Sequence, residues 1–226
     1  MSRTSWAFPQ LTSNQVHPRL FGYVEGFRNH LAVLKGAESN LLATKAVLFL
    51  RAVQGKGAPI LLINRNPKLS ALVTHTARHL GQPYANEYWI PGVLTNWTQF
   101  TPTLRAFQAC AKVFGPVLAA TRLVVPKYTK QRKKLEGLVG LRTLPSALLL
   151  FQLGGNEAIV REAQALHIPL VVLTDCTGPL QGVEYPVPLN TESVDVVYTF
   201  CQMLCPPTTK GEGSSVDPML RPATTE

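Results

Sequence analysis

At 226 residues, 46% of them hydrophobic, the chain is long enough for one domain with its own buried core. It has no apolar run near the roughly 18 residues needed to cross a bilayer. Its four scattered cysteines, Cys110, Cys176, Cys201 and Cys205, form no C-x-x-C pair, which argues against a secreted disulfide framework and for a reducing compartment.

The formal net charge of +9 is unevenly spread. From Arg105 to Arg142 there are nine cations and one acid, Glu136, whereas the rest of the chain is nearly neutral. A neutral body with one basic segment points to a localised polyanion contact, nucleic acid before membrane. The bland alternative is a solvated helix face, but such faces normally mix both signs.

The first fifteen residues have no continuous apolar stretch and cannot be a secretory signal. Up to Arg28 they and their neighbours carry Arg3, Arg19 and Arg28 against Glu25, with several Ser and Thr, a composition similar to organellar targeting segments. After this polar arm, a helix is predicted from about Ala37 to Gln54, with Leu41, Leu42, Ala46, Leu50 and Val53 along one side. Gly55-Lys56-Gly57 stops it, and Ala58–Ile63 reads as a buried strand. Asn66 caps the next helix, with Pro67 in its first position, and Gly81 ends it. A short strand near Tyr84 leads into N-E-Y-W-I-P-G-V-L-T-N-W, Asn86 to Trp97, which holds two of the three tryptophans.

Thr101-Pro102 reads as a helix start, interrupted at Gly115-Pro116, and a basic helix follows from about Tyr128 to Leu138. Ser146–Leu153 is predicted to be a buried strand, Asn156–Leu166 a helix and Ile168–Thr174 another buried strand. A turn-rich stretch with Gly178-Pro179 and Gly182 leads to Tyr185–Pro188, a short edge strand because of its prolines. The last helix spans about Thr191 to Leu204. The tail from residue 206 has almost nothing to bury and is expected to be disordered. Apolar strands alternating with helices imply an open α/β parallel sheet of about five strands, covered on both faces. The organisation is an arm over 1–30, a domain over 31–205 with a basic insertion at about 101–142, and a tail over 206–226.

Such sheets often bind nucleotides, which makes enzyme chemistry the first possibility to test. Gly55 and Gly57 precede a strand, the wrong end for a phosphate cradle. Gly154-Gly155 follows a strand and precedes a helix, but two glycines are weak evidence and a tight strand-to-helix turn explains them better. No Walker lysine and no G-x-S-x-G elbow occurs. His75 and His79 share a helix face as zinc ligands would, yet Thr76 stands where a general-base glutamate would follow, and no third ligand suggests itself. Cys201 and Cys205 read as core packing, and Asp175, Glu184 and Glu192 as turn caps. No catalytic residue, metal site or cofactor is expected. The aromatic motif beside the basic segment suits RNA better, with stacking from rings and Lys or Arg on phosphates. The alternative for Trp89 and Trp97 is core packing, which would fix the loop so that Thr95 and Asn96 point outward.

The motif N-E-Y-W-I-P-G-V-L-T-N-W is similar to the signature N-x-x-W-x-x-G-x-L-T-N-W of the small-ribosomal-subunit protein two family. Asn86, Trp89, Gly92, Leu94, Thr95, Asn96 and Trp97 fall on it. GFRNHLAVL from Gly26, GKGAPILLINRNPKLS from Gly55, LPSAL from Leu144 and REAQALHIPLVVLTDCTGPLQGVEYPVPLN from Arg161 resemble further segments of that family in the same order. The resemblance implies a three-layer α/β/α domain of flavodoxin-like topology. It also implies a structural, non-enzymatic component of the small ribosomal subunit, set against rRNA and beside other ribosomal proteins, with no membrane and no small-molecule substrate.

Departures from the family pattern suggest a mitochondrial member, with a plastid or bacterial cytoplasmic home as the alternatives. VHPRLFGYVEG matches the arginine-bearing H-F-G-H segment poorly, the helical hairpin after L-T-N-W is shortened, Ser146 replaces an acid, Cys176 replaces threonine and Glu87 replaces a basic residue. The expected phosphate contacts are Lys127, Lys130, Arg132, Lys133 and Lys134, followed by Arg65 and Lys68 in a loop after a strand. Thr95, Asn96 and Trp97 are the loop contacts, either with RNA or with the protein's own sheet, and Arg28, Arg105 and Arg142 complete the RNA-binding set. The expected partners are small-subunit rRNA and neighbouring small-subunit ribosomal proteins. The rival reading is a small-molecule or sugar-phosphate-binding α/β domain with a pocket at Gly154-Gly155 and Asp175, and a third is an RNA-binding module outside the ribosome.

Overall fold

A computed structural model describes residues 18–28, 31–121, 125–175 and 180–205. The expectations for the arm before residue 18, for Arg122, Cys176 and Gly178-Pro179, and for the tail from residue 206 lie outside these residues. The domain is a three-layer α/β/α sandwich. Its strands are β1 (Val24–Arg28), β2 (Leu31–Leu34), β3 (Ile60–Asn64), β4 (Tyr84–Asn86), β5 (Ala147–Leu150), β6 (Leu170–Thr174) and β7 (Tyr185–Pro188). Its helices are α1 (Gly36–Gly55), α2 (Ser70–Leu80), α3 (Trp97–Thr121), α4 (Pro126–Leu135), α5 (Glu157–Ala165) and α6 (Val194–Leu204). Strands β3 to β7 form one parallel sheet in the order β4-β3-β5-β6-β7, the flavodoxin-like order.

The central strands are apolar throughout because both faces are covered. Ile60, Leu62, Ala147, Leu149, Val171 and Leu173 point into a core shared with α1, α2 and α6. Their alternates, Leu61, Ile63, Leu148, Leu150, Leu170 and Val172, point into a second core built with α3, α5, the end of α4 and β2. Period-two side-chain alternation thus makes two cores from one run of leucines and valines. Asn66 caps as expected: its side chain accepts from the Lys68 N–H at 3.1 Å, over a short 3-10 turn, Pro67–Leu69, that precedes α2. Gly81 closes α2 in the left-handed region at φ 64°. The two prolines of β7 sit on the sheet edge, beside β6.

Three expectations are corrected. Strands β1 and β2 pair antiparallel, one on each side of the arm boundary at residue 30. Ala32 and Leu34 of β2 are buried in the second core. In α1 the buried stripe is Ser39, Ala43, Ala46, Val47 and Leu50, and Leu41 is exposed, so the buried face is rotated from the predicted one. Helix α3 begins at Trp97 and runs through Pro102 and through Gly115-Pro116 to Thr121. A proline removes one backbone hydrogen bond and crowds the preceding turn, and here the helix continues past both. Nearer its start, buried Leu104 and Phe107 anchor it to the core.

Candidate nucleic-acid interface

The aromatic motif leaves the sheet at the end of β4. There the Glu87 N–H donates to the Asn64 carbonyl at 2.8 Å, and Glu87 adopts a left-handed φ of 62° that turns the chain away from the sheet. The loop then reaches α5, where the buried carboxylate of Glu162 accepts three N–H groups. Trp89 Nε1 and the Gly92 N–H donate to Oε1 at 3.2 and 2.8 Å, and the Leu94 N–H donates to Oε2 at 3.0 Å. A carboxylate bonded to several N–H groups is a strong brace, since charge-assisted bonds are roughly twice as strong as neutral ones. Gly92 has φ 87°, which a side chain rarely tolerates. Leu94 is fully buried, fixing the loop from below.

Beyond this brace, Thr95 and Asn96 are exposed. The Asn96 carbonyl accepts from the Gln99 and Phe100 N–H groups, so Asn96 opens α3. Trp97 is half-buried against the core, its ring 6.2 Å from that of Phe100. The tryptophans therefore support the loop, while its polar end faces out.

The basic helix α4 starts at Pro126, which suits the first helical position. Its anchor is Leu135, joined by Leu138 of the short 3-10 turn that follows, both buried. A β-carbon at Gly137 would overlap the Tyr84 carbonyl oxygen and ring, so only glycine lets this segment lie against the edge strand β4. That seating turns Lys127, Lys130, Arg132 and Lys133 outward. Lys134 is half-buried, with Nζ 5.9 Å from the Tyr88 ring centroid. Arg132 pairs with Glu136 at 3.2 Å, and the hydrogen bond and charge of Glu136 raise its pKa further. The pair is well exposed and contributes little to stability, but it offsets part of Arg132's charge.

The other candidates fall into separate places. Arg105 and Arg142, brought together with Lys112, line a cleft of about 720 Å³. Arg65 lies at the switch point of the sheet, where the chain leaves β3 one way and β5 the other. Its Nη1 donates to the Gly155 carbonyl across the crevice where α/β enzymes commonly bind ligands. Asn64 Nδ2 donates to Asn66 O at 2.9 Å and to Asn86 Oδ1 at 3.2 Å, tying the ends of β3 and β4 together. Lys68 makes an exposed ion pair with Glu192 at 3.4 Å. Arg65 and Lys68 are thus engaged within the protein. Arg28 ends β1, and its side chain is not among those described. His75 and His79 stack with ring centroids 6.5 Å apart, and no group of three or more metal-ligating side chains occurs among the described residues. No helix among them is long and apolar enough to cross a membrane.

Sequence reasoning missed two residues here. Glu162 has no role of its own in the sequence analysis, although it lies on the side of α5 that carries Ile159 and Ala163, both buried. An acid on an apolar stripe was the available signal. Tyr88, rather than either tryptophan, is the exposed ring of the motif, at 49% accessibility.

Comparison with known proteins gives a consistent result. A family model described as ribosomal protein S2 matches residues 10–211. Small ribosomal subunit protein uS2 of Novosphingobium aromaticivorans is 27% identical over 200 residues, covering 86% of this chain and 80% of its own. Small ribosomal subunit protein uS2m of Marchantia polymorpha is 28% identical over 189 residues, covering 81% and 79%. The uS2 protein of Sphingopyxis alaskensis is 25% identical over 226 residues, covering 93% and 82%.

Proposed function

Because the chain belongs to the ribosomal protein S2 family, we propose that it serves the small ribosomal subunit by holding rRNA against α4 and the 95–97 corner while docking neighbouring ribosomal proteins elsewhere. The family is a structural, non-enzymatic component of the ribosome, and the coarse function follows from membership. The observation that carries the finer reading is the outward row of Lys127, Lys130, Arg132 and Lys133, seated by Gly137 on the edge of the sheet and close to the braced motif. Clustered cations with few matching acids gain affinity for phosphate by releasing counterions, with little dependence on sequence.

Arg105 and Arg142 are assigned a second phosphate contact at their shared cleft. Arg65 and Lys68 rank last, since reaching RNA would require them to leave Gly155 and Glu192. Arg28 is kept as a further cation of the set. The rival reading, a sugar-phosphate pocket at Gly154-Gly155 and Asp175, is disfavoured by membership of a structural, non-enzymatic family.

The proposed home is the mitochondrial ribosome, on the drift at VHPRLFGYVEG, Glu87 and Ser146 and the similarity to a uS2m protein. The bacterial uS2 relatives are equally similar, so fractionation decides. Sedimentation of the protein with mitochondrial small subunits is expected, and sedimentation with plastid or bacterial subunits would refute the location alone. Replacing Lys127, Lys130, Arg132, Lys133 and Lys134 by Gln is expected to deplete the protein from small-subunit fractions, more so at raised salt. Normal incorporation of that variant would refute the α4 contact.

A further inference from the structure

Tyr88 is the one large aromatic of the motif that is neither half-buried nor core-packed, and the basic helix is folded over it. A cleft of about 450 Å³ is lined by Tyr88, Pro126, Thr129, Lys130, Lys133 and Lys134. Its floor is apolar: a phenol ring, a pyrrolidine ring and the methylene stems of lysines, with ammonium groups around the rim. A second cleft of about 460 Å³ shares Lys133 and Lys134 as its wall and continues toward α2, where Thr74, His75 and Arg78 line it. Both lie in the size range of ligand sites, roughly 300–1,000 Å³.

We propose that the first cleft seats one unpaired RNA base flat against Tyr88, with its flanking phosphates on Lys130 and Lys133 and the strand continuing into the second cleft toward Arg78. The inference rests on the reading of α4 as an RNA-facing helix and specifies what that helix holds. Geometry favours a single strand. A duplex keeps its base faces stacked inside and offers phosphates and 2′-hydroxyls, for which an apolar floor is useless. An unpaired base offers a π-face of the kind that stacks on exposed aromatics, with little preference among bases. Lys134, 5.9 Å from the ring centroid, neighbours the same ring, and its flexible stem lets the ammonium move to a phosphate as the base enters. Glu87, bonded by Ser70 Oγ at 3.3 Å, and Glu136, paired with Arg132, also line the second cleft, where Arg78, Lys133 and Lys134 stand against them.

The test uses the full chain with a labelled short oligouridine and a short RNA duplex, read by fluorescence anisotropy across a salt series. Tyr88→Ala is expected to weaken oligouridine binding about 5- to 150-fold, the range for loss of one base–aromatic stack, with an unchanged salt slope and unchanged duplex binding. Tyr88→Phe keeps the ring and should keep the affinity. Replacing Lys130, Lys133 and Lys134 by Gln should flatten the single-strand salt slope by about 0.7 for each phosphate no longer neutralised. If Tyr88→Ala binds oligouridine like the native protein while the lysine variant fails, the base seat is overturned and the phosphate contact of α4 stands. If Tyr88→Ala weakens duplex binding equally, the seat is overturned as well. If the lysine variant binds normally, both the seat and the α4 reading fall.

Discussion

Removing the carboxylate of Glu162 is the sharpest test of how the motif is held. In Glu162→Ala three N–H groups lose their acceptor at once. The Leu94 N–H is buried under a fully buried side chain and has no route to water, so it incurs the full cost of an orphaned donor, about 2 kcal/mol. Trp89 Nε1 and the Gly92 N–H are only partly buried and can recruit solvent; each is expected to lose about 1 kcal/mol. The expected destabilisation is therefore about 4 kcal/mol, a large share of the roughly 5–15 kcal/mol that holds a typical domain. Glu162→Gln retains an oxygen for Trp89 and Gly92 but sets an amide NH₂ against the Leu94 N–H, and should lose about half as much. Urea unfolding followed by tryptophan fluorescence reads the midpoint directly, with an unchanged slope marking a true stability effect. Trp89 should also emit further to the red in native buffer as its indole N–H turns to water. A Glu162→Ala protein within about 1 kcal/mol of the native chain would refute the reasoning.

Two further outcomes follow from packing. Gly137→Ala should lower Tm by roughly 2–4 °C for each kcal/mol lost, with a loss of about 1–3 kcal/mol from overpacking. Gly140→Ala, whose added methyl meets nothing within 4 Å, is the matched control; equal melting of the two variants would show that the β4 edge does not need the glycine. Burial pushes the Cys201 thiol up to about 12 from 9.0, and it is 2% exposed. In the native protein it should resist iodoacetamide while half-buried Cys110 reacts, and peptide mass spectrometry showing equal rates would contradict this. The linked contribution to stability has a definite sign. Above about pH 9 the unfolded thiol ionises and the folded one does not, so this contribution is intact below that pH and declines from 9 toward 12.

The strands were legible because a parallel sheet covered on both faces demands unbroken apolar runs, and APILLI, SALLLFQL and IPLVVLT have no other comfortable home. Gly81 and Asn66 were legible for local reasons, a left-handed cap and a side-chain cap. The failures share a different cause. Spacing alone points Leu41 inward, but the true stripe is set by which residues α6 and the sheet can reach. Local capping signals start α3 at Thr101-Pro102, whereas buried Leu94 before it and Leu104 within it place the helix from outside. The paired strands VEGFR and LAVL are short, and among their described side chains full burial comes only at Ala32 and Leu34. The interface shows the same division. The clustering of cations could be read from the chain, but their seating at Gly137 and the brace at Glu162 join segments more than 50 residues apart, which no window along the sequence contains.

That last separation bears on the order of synthesis. Gly92 and Glu162 are 70 residues apart, and a ribosome making about 5–20 residues per second needs several seconds to cover that stretch. Until α5 emerges, the loop after β4 has its tryptophan and its glycine but no carboxylate to gather them, and Thr95 and Asn96 have no fixed address. A nascent chain ending before residue 162 would therefore carry the basic helix without the braced corner beside it. The shape of the corner after β4 thus waits on the second half of the sheet.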